Sequence, residues 1–573
     1  MYELDIDLRM QLGKAKRSSN YVTSALETSE KARARILIDL LSESGVVHKL
    51  STGFNENSDR ELVNLVARKQ QVENKLNFKG QSQTTLLSGK HTQEQAAAIA
   101  KEFGELENEY DELEAQIKEQ SPRYAKLTKP QPLSLVEIQR QLDDSTSLIE
   151  YSLGNERSYV WAVTPDSIKG FELPGRTEIE ATVQRLSKAV TERNRGVKDE
   201  SPQQWRRRID QADAEYTKAS AALSKMVIEP VAALLGNKRM VIVADGALQL
   251  VSFGALPVSK SNGAAETATA KAKPLNNNTA TAEPRPLVAD HEIVYLPSAS
   301  VLALQRHELE NRKPAPHAVA VLADPVFDQE GVRRELEIRR AREAGSGQSE
   351  QGANTSRSAT RANTNARSDL TRALDDLGID RISWLPHSRG EAEAIIKLAP
   401  KGEGMAALGF KASRATATSP ELAKYRIIHF ATHGVVDFDH PELSGIVLSM
   451  VDEKGRPQDG YLRLHEIYNL NLPAELVVLS ACQTGIGKQI KGEGLIALTR
   501  GFMYAGAPRV VASLWKVDDA ATSELMSEFY KQMFTDGLRP AAALRAAQRK
   551  VSQPKRWHSP YYWAGFVLQG EWK

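Results

Sequence analysis

Short apolar runs alternate with longer amphipathic stretches from residue 148 onward, and this alternation strongly limits the folds open to the chain. The runs have the length of strands, whereas the stretches at 178–198 and 205–228 repeat their apolar residues with a helical period. Strands separated by helices favour an α/β fold built on mostly parallel sheets with helices on both faces. The predicted strands lie at 148–153, 159–163, 240–244, 293–296, 318–322, 427–430, 446–450, 476–480 and 510–514.

Residues 1–128 carry a helical pattern instead, in which apolar residues recur three and four positions apart. This spacing gives a helix one apolar seam, and the polar stretch 77–91 separates two such helices. Two antiparallel helices packed as a hairpin are therefore predicted, as an N-terminal arm that is structural or holds a partner. The seam residues are Leu62, Leu65, Val72 and Leu76, interrupted by Lys69, and then Ile99, Phe103, Leu106, Tyr110, Leu113 and Ile117.

The overall composition is that of an ordinary globular protein and argues against several kinds of partner. A length of 573 residues suggests three or four folding units of ~150 residues each. The net charge of +2 lacks the basic excess of a nucleic-acid-binding protein, and no apolar run approaches the ~18 residues of a membrane span. The first residues include two acids and do not resemble a signal peptide, so a cytosolic location is expected.

The chain has a single cysteine, which cannot form an internal disulfide or a multi-cysteine zinc site. Such a cysteine is either an inert core residue or a reactive one, and its neighbours must decide between the two. His429 and His433 lie four positions apart across a strand-to-turn junction rather than on a helix, so they do not predict a zinc pair. No metal or other cofactor is expected.

Two segments interrupt the alternation of strands and helices. Residues 259–286 and 343–370 are rich in Ala, Ser, Thr, Asn and Gly. They contain too little apolar surface to offset the entropy of ordering, so flexible surface insertions are predicted at both places.

Two motifs each run from a buried-type strand into a short polar turn. The first is Arg426-Ile-Ile-His-Phe-Ala-Thr-His433-Gly434, and the second is Glu475-Leu-Val-Val-Leu-Ser-Ala-Cys482-Gln-Thr-Gly485. Because the carboxyl ends of neighbouring parallel strands meet at one edge of a sheet, His433 and Cys482 are expected to lie together there. Their separation of about 50 residues and the Ala-Cys-Gln-Thr-Gly sequence are close to the caspase pattern.

A cysteine and a histidine at this edge are equipped to cleave a peptide bond. The imidazole of His433 would favour the thiolate of Cys482 and then protonate the leaving amine. The backbone N–H groups of Gly434 and Cys482 are candidates for an oxyanion hole, where one donor is usually worth about 2.7–4 kcal/mol. The alternative is that Cys482 is a small buried apolar residue and His433 a hydrogen-bonded rim residue. Their joint order, spacing and turns favour a catalytic dyad.

The region from about residue 133 to residue 570 resembles a CHAT domain, a peptidase family related to caspases and separases. The matching segments are 148–154, 159–164, 243–246, 322–327, 492–495 and 512–519, in addition to the His433 and Cys482 motifs. The resemblance implies a caspase-like fold in which an inactive unit, here 129–312, precedes an active unit, here 313–573. Tetratricopeptide repeats usually precede this domain in relatives, and 25–41 within the arm at 1–128 resembles the end of such an array.

The substrate cleft is predicted from the same resemblance. In caspases and separases the strand and loop after the cysteine line the cleft, which implies roles for Trp515, Asp518 and Asp519. Trp515 would wall a subsite, and one of the two acids would pair with a basic P1 side chain. The alternative is that either acid is the N-cap of the next helix. Further acidic candidates on nearby loops are Asp437, Asp439 and Asp459. Glu493, in a Gly-Glu-Gly turn that opens a helix, either orients the dyad or only stabilises the helix N-terminus.

The sequence therefore predicts a cytoplasmic, bacterial-type cysteine endopeptidase that cleaves a protein partner after a basic residue. A partner protein or ligand is expected to regulate it, with the helical arm as the candidate binding site for a protein partner, and neither nucleic acid nor membrane is an expected partner. Two alternatives stay open: a catalytically silent caspase-like scaffold, and a zymogen that mainly cleaves its own insertions, near Lys271, Lys273 or Arg361.

Overall fold

The computed structural model describes residues 2–43, 133–258, 285–310, 312–346, 382–436, 444–480, 482–484 and 493–573, together with isolated helical positions between 65 and 116. For 34–43, 308, 343–346, 436, 465, 482–484 and 493–497 it gives the backbone alone. The strands are β1 (Thr146–Ser152), β2 (Ser158–Thr164), β3 (Ser167–Leu173), β4 (Arg239–Val243), β5 (Pro257–Val258), β6 (Arg285–Pro286), β7 (Ile293–Tyr295), β8 (His317–Ala323), β9 (Gly404–Leu408), β10 (Tyr425–Ala431), β11 (Gly434–Val436), β12 (Gly445–Val447), β13 (Tyr461–Arg463), β14 (Leu476–Leu479), β15 (Cys482–Thr484), β16 (Arg509–Ser513) and β17 (Phe566–Gly570).

The helices alternate with these strands along most of the chain. In chain order they are α1 (Tyr2–Lys16), α2 (Ser19–Glu43), α3 (Leu135–Gln141), α4 (Arg176–Thr191), α5 (Pro202–Val227), α6 (Glu229–Leu235), α7 (Ala299–Leu309), α8 (Gln329–Ser346), α9 (Ser388–Leu398), α10 (Arg414–Ala417), α11 (Leu464–Tyr468), α12 (Glu493–Tyr504), α13 (Asp519–Phe534) and α14 (Pro540–Val551). Sequence signals explain several of their starts. Ser201, for example, precedes Pro202 and forms a capping box with Gln204 at the start of α5.

The chain divides into two compact units, Met1–Glu30 with Leu133–Lys573 and Lys31–Pro132. In the smaller unit, the helical residues Leu65, Val72 and Leu113 are buried, as the seam pattern predicts for these three positions. Most of the other seam residues lie outside the described residues. Residues 1–30 belong to the larger unit rather than to a separate arm, and the boundaries after residues 128 and 312 stay predictions.

An eleven-stranded sheet forms the centre of the larger unit, in the order β3-β2-β1-β4-β7-β17-β16-β14-β10-β8-β9. The strands β1, β4, β7 and β17 run parallel to one another, and β16, β14, β10, β8 and β9 do the same. The two sets meet where β17 pairs antiparallel with β16. The carboxyl ends of the later strands therefore lie at the edge of the sheet opposite to the carboxyl ends of the earlier strands.

The later half of the sheet consists of β16, β14, β10, β8 and β9, and the earlier half consists of the other strands. Helices cover both faces of the later half, as the contacts of two neighbouring residues of β10 show. Phe430 contacts Phe502 of α12, with ring centroids 5.5 Å apart. His429, one position earlier, contacts Tyr530 of α13 and Glu391 of α9. Since successive side chains of a strand point to opposite faces, α12 lies on one face and α9 with α13 on the other. The predicted fold class, mostly parallel α/β with flanking helices, is confirmed.

Four short strands form a second sheet in the order β13-β12-β11-β15. The run at 446–450 was expected among the strands of the parallel sheet, but this expectation is wrong. Its strand β12 pairs antiparallel with β11 and β13 instead. The pattern could not separate the two cases, because a short run that is buried on both sides looks the same in either sheet.

The two predicted insertions lie mainly outside the described residues. Their described margins are ordered more extensively than the composition suggests. Arg285 and Pro286 form β6 and pair with β5, and the backbone of 343–346 continues helix α8.

A candidate catalytic site at the edge of the sheet

Two neighbouring strands of the large sheet leave it together and pair again in the small sheet. Strand β10 continues through Thr432 and His433 into β11, and β14 continues through Ser480 into β15. β10 and β14 are parallel neighbours, and so are β11 and β15. In the second pair, Gly434 lies opposite Cys482. The two motifs therefore meet in space, and the backbone of Cys482 lies beside the residue that follows His433.

His433 is almost completely buried at this junction, with 3% of its surface exposed. Its Nε2 lies 2.6 Å from the carbonyl oxygen of Ser383. A carbonyl can only accept a hydrogen bond, so Nε2 must carry the proton, and Nδ1 is left as the basic nitrogen of the neutral ring. Phe327 contacts the imidazole with ring centroids 5.5 Å apart, and the His433 carbonyl accepts a hydrogen bond of 2.9 Å from Val447 N.

The surroundings of His433 favour its neutral form. Burial is the largest influence and lowers the pKa of the imidazole below its usual value of 6.5. The hydrogen bond to Ser383 acts in the opposite direction, whereas the ammonium group of Lys516 lowers the pKa further. A neutral imidazole is the form that can accept a proton from a thiol.

The contact with Ser383 could not be predicted from the sequence. The group involved is a main-chain carbonyl, which every residue possesses, so its identity leaves no compositional signal. The side chain of Cys482 lies outside the described residues. Its role as a nucleophile, and the role of the Gly434 and Cys482 N–H groups as an oxyanion hole, stay predictions.

A cavity opens beside His433, between β10, α9 and the segment after β16. It is lined by apolar residues and by three charged side chains besides the histidine. Its lining includes Leu385, Glu391, His433, Lys516, Val517 and Asp519. Two carboxylates and one exposed ammonium group therefore lie around a single opening.

The residues predicted to bind substrate are placed differently from one another. Asp519 lines the cavity, and its Oδ2 accepts a hydrogen bond of 2.8 Å from the backbone N–H of His387. Burial raises the pKa of its carboxyl group. Asp518 instead caps helix α13, with its Oδ1 2.9 Å from Ala521 N, as the alternative interpretation expected. The indole of Trp515 is buried and donates a hydrogen bond of 3.0 Å to the Tyr561 carbonyl.

Asp459 is the other acidic candidate whose side chain is described, and it does not line this cavity. Asp459 accepts a hydrogen bond from Tyr461 N at 3.1 Å, and its Oδ2 lies 3.3 Å from Arg463 Nη1. Glu493 opens helix α12, but only its backbone is described. Asp437 and Asp439 lie outside the described residues.

A buried polar chain, which the sequence analysis missed, connects the cavity to the interior. Glu391 Oε1 lies 2.7 Å from His429 Nε2, and His429 Nδ1 lies 2.9 Å from the Tyr530 hydroxyl. All three side chains are at least 99% buried. Glu391 shares its helix face with Ser388, Ala392 and Ile395, so a carboxylate occupies a position that the helical period assigns to the core. That mismatch is the signal from which this residue could have been found.

The two motifs thus meet at the edge of a mostly parallel α/β sheet that is flanked by helices. Residues 217–571 match the CHAT domain, which is more than half of the chain. The chain therefore belongs to the CHAT domain family, as the sequence motifs predicted.

Two curated relatives match a smaller part of the chain. Tetratricopeptide repeat protein 28 from Homo sapiens is 40% identical over 113 residues, which are 20% of this chain and 4% of the relative. The protein of the same name from Mus musculus is 39% identical over 105 residues, or 18% of this chain and 4% of the relative. These matches thus span only a small fraction of either relative.

Solved structures of the Saccharomyces cerevisiae separase–securin complex also align with the chain. One at 2.6 Å resolution aligns over 96% of this chain and 41% of the other, with a TM-score of 0.41 and 11% identity. A second, at 3.0 Å, aligns over 99% and 46%, with a TM-score of 0.40 and 11% identity.

No described helix is both long and apolar enough to cross a membrane. Among the described side chains, no group of three His, Cys, Asp or Glu residues is arranged as metal ligands would be.

Proposed function

We propose that the chain is a cysteine endopeptidase in which His433 and Cys482 form the catalytic dyad. The observation that carries this proposal is the parallel register of β11 and β15, which sets Cys482 opposite the residue after His433. The protonated Nε2 of His433 supports it, because the hydrogen bond to Ser383 leaves Nδ1 as the available base.

The proposed reaction follows from these groups. Nδ1 of His433 takes the thiol proton, and the thiolate attacks the scissile carbonyl carbon. The backbone N–H groups of Gly434 and Cys482 stabilise the oxyanion, and the imidazolium returns the proton to the leaving amine as the C–N bond breaks. A water molecule, deprotonated by the same imidazole, then hydrolyses the thioester and restores the thiol.

The cavity beside His433 supports a basic residue at P1 of the substrate. Of the two adjacent acids predicted to pair with a basic P1 side chain, Asp519 lines the cavity, whereas the side chain of Asp518 caps a helix N-terminus. Glu391 adds a second carboxylate that is held in place by His429. Lys516 carries the opposing charge, but its side chain is exposed and can turn toward solvent when a cation enters. Trp515 would then support the wall from behind, through its bond to Tyr561.

We also propose a substrate class, a partner and a cellular location for this activity. The substrate is a protein, an activating protein partner binds the N-terminal helical arm, and the enzyme works in the cytoplasm. The unit at 129–312 is the inactive half of the domain, since the single cysteine of the chain lies at position 482. Nucleic acid is not a direct partner.

An active-site-directed probe tests the dyad before any natural substrate is known. The intact chain would be incubated with a peptidyl acyloxymethyl ketone carrying arginine at P1, and labelling would be followed by mass spectrometry. We expect stoichiometric labelling of Cys482 in the wild type, no labelling of Cys482→Ala, and labelling slower by about 10³-fold in His433→Ala.

Matched probes and a folding control make the result decisive. A probe with citrulline at P1 has nearly the shape of arginine without its charge and should label more slowly. Thermal melting should show that Cys482→Ala stays folded. If the wild type and His433→Ala react equally slowly, the dyad is absent and the fold is a binding scaffold. New N-termini after incubation of the wild type alone would indicate self-processing.

A further inference from the structure

The carbonyl that orients His433 belongs to a short segment, residues 382–385, and this segment is held from both sides. Ile382 packs against the buried cluster of Val435, Val447 and Tyr461 in the small sheet. On the other side of Ser383, the indole Nε1 of Trp384 donates a hydrogen bond of 2.8 Å to Asp324 Oδ1. Ser383 thus lies between an apolar anchor and a polar one.

Asp324 is placed to act as a fixed anchor. It follows β8, whose last residue, Ala323, pairs with Ala431 of β10, so Asp324 and His433 lie at the same edge of the sheet. Its side chain is 95% buried, and its second oxygen, Oδ2, accepts a hydrogen bond of 2.6 Å from Arg389 Nε. Arg389 also pairs with Glu335, which is buried as well. Both oxygens of the carboxylate are therefore occupied by donors that point in fixed directions.

The backbone conformation of Asp324 is also unusual. Its φ of +52° lies in the left-handed region, which an aspartate adopts at a cost that the surrounding contacts must offset. This conformation turns the chain sharply at the end of β8 and lets the carboxylate meet both Trp384 and Arg389.

Trp384 is not a core residue, although it makes this buried contact. Its side chain is 41% exposed, and the guanidinium of Arg334 lies 3.9 Å above its ring. Burial of the ring therefore does not explain its position. The hydrogen bond to Asp324 and the cation–π contact are what fix it, and with it the neighbouring Ser383 carbonyl.

We propose that Asp324 and Trp384 are positioning residues, which hold the Ser383 carbonyl against Nε2 of His433 and so keep Nδ1 free as the base for Cys482. This inference rests on the proposed dyad. Without the anchor, the Ser383 carbonyl would move, and the imidazole would lose the partner that selects its tautomer and its orientation. Groups that orient metal-bound histidines typically change affinity or activity by about 10–100-fold when they are mutated, and we expect an effect at the lower end of this range here.

The reactivity of Cys482 tests the proposal directly, because no other thiol in the chain can contribute to the signal. The rate of alkylation by iodoacetamide would be measured against pH for the intact wild-type chain and for Trp384→Phe. This variant keeps an aromatic ring under Arg334 but loses the N–H donor. We expect the rate at pH 7 to fall about 10-fold and its rise with pH to move to higher pH.

Kinetics with the arginyl acyloxymethyl ketone separate positioning from binding. The maximal inactivation rate should fall by about the same factor in Trp384→Phe, whereas the concentration for half-maximal rate should stay within about 2-fold. Asp324→Asn should act in the same direction, because its NH2 group replaces one of the two acceptor oxygens, so that either Trp384 or Arg389 faces a donor instead of an acceptor. Ile382→Ala provides a third variant that loosens the other anchor and should give a smaller loss.

Trp205→Phe is the matched control. Trp205 is also 41% exposed, but it lies on α5, the helix that connects to the strands of the earlier half of the sheet. Its alkylation profile should overlay that of the wild type. If Trp384→Phe and Asp324→Asn also overlay it while His433→Ala remains slow, the positioning proposal is wrong and the dyad stands. If His433→Ala itself overlays the wild type, the proposed dyad is wrong.

Discussion

The earlier and later halves of the large sheet place different groups at the carboxyl ends of their central strands. In the earlier half, the residues after β1 and β4 satisfy each other, since Leu153 N donates a hydrogen bond of 2.7 Å to Asp245 Oδ2. In the later half, the residues that follow β10 and β14 include His433 and Ser480, which both line a cavity. One end is closed by its own hydrogen bonds and the other is left open to a ligand.

The interiors of the two halves differ in how their buried polar groups relate to the candidate site. In the earlier half, the buried Tyr151 hydroxyl donates a hydrogen bond of 2.9 Å to the Val227 carbonyl, and the buried carboxylate of Glu150 accepts one of 2.7 Å from Ser29. The later half buries Glu391 beside His429, and Glu391 also lines the cavity. Burying ionisable groups costs far more than burying a hydroxyl. Both halves therefore accept this cost, but in the later half the buried carboxylate lies at the candidate site.

The strongest test of this contrast compares alanine substitutions at equivalent positions of the two halves, one after β10 and one after β4. His433→Ala should lower kcat/KM on a P1-arginine peptide by about 10³-fold, with little change in Tm. Asp245→Ala should lower the free energy of unfolding by about 1 kcal/mol while leaving kcat/KM within about 2-fold. Peptide hydrolysis and chemical denaturation of both variants provide the measurements. Equal activity of the two variants would contradict the assignment of chemistry to the later half.

The second test compares the two interiors. Glu391→Ala removes one partner of a buried pair, so we expect a loss of about 3 kcal/mol in the free energy of unfolding. Tyr151→Phe removes a single hydroxyl and should lose about 1 kcal/mol. Urea denaturation followed by circular dichroism measures both values. Equal losses would show that the Glu391–His429 pair is not the costly element described above.

The third test concerns the two adjacent acids. Asp519→Asn should reduce the preference for arginine over citrulline at P1 by about 10-fold, because it removes a charge from the cavity wall. Asp518→Asn should leave this preference unchanged and, since asparagine also caps helices well, should lower the stability only slightly. Competition between the two probes gives the ratio. A larger effect of Asp518→Asn would return the selectivity role to the capping residue.

The smallest expected effect is a pH dependence that belongs to the later half. The folded-state pKa of His433 is lowered, chiefly by burial, so the unfolded chain binds a proton more readily as the pH falls below 6.5. The free energy of unfolding should therefore decrease with falling pH, from about 6.5 down to the lowered pKa, and stay constant below it with respect to this group. Subtracting the Tm profile of His433→Asn from that of the wild type isolates the effect. A difference that does not vary with pH would contradict it.

Strand positions and the meeting of the two motifs could be predicted from the sequence, because both depend on local patterns. Runs such as the one at 476–480 are continuous and apolar, and the parallel order brings their ends together. Strands β3 and β9 were missed because they are amphipathic or partly exposed and lack such runs. Strand β17 is buried throughout, but the strand prediction stopped at residue 514 and did not reach it.

The parts of the site that escaped prediction depend on contacts between distant segments. The Ser383 carbonyl reaches His433 from a different segment of the chain, and a main-chain group has no signature in the sequence. The choice between Asp518 and Asp519 depended on a single position, since the first acid caps α13 and the second, the first residue of the helix, lines the cavity. Glu391 was detectable in principle, because a carboxylate on the buried face of an amphipathic helix breaks its pattern.

Strand β17 has a consequence for how this protein is made. It comes after every other strand in the sequence, yet it lies between β7 and β16 and joins the two parallel sets. Ribosomes add about 5–20 residues each second, so every other strand of the large sheet is synthesised before the strand that connects the two sets emerges. During that interval β7 and β16 each present an unpaired edge, which is where a chaperone would protect the nascent chain and where premature pairing with another copy would begin.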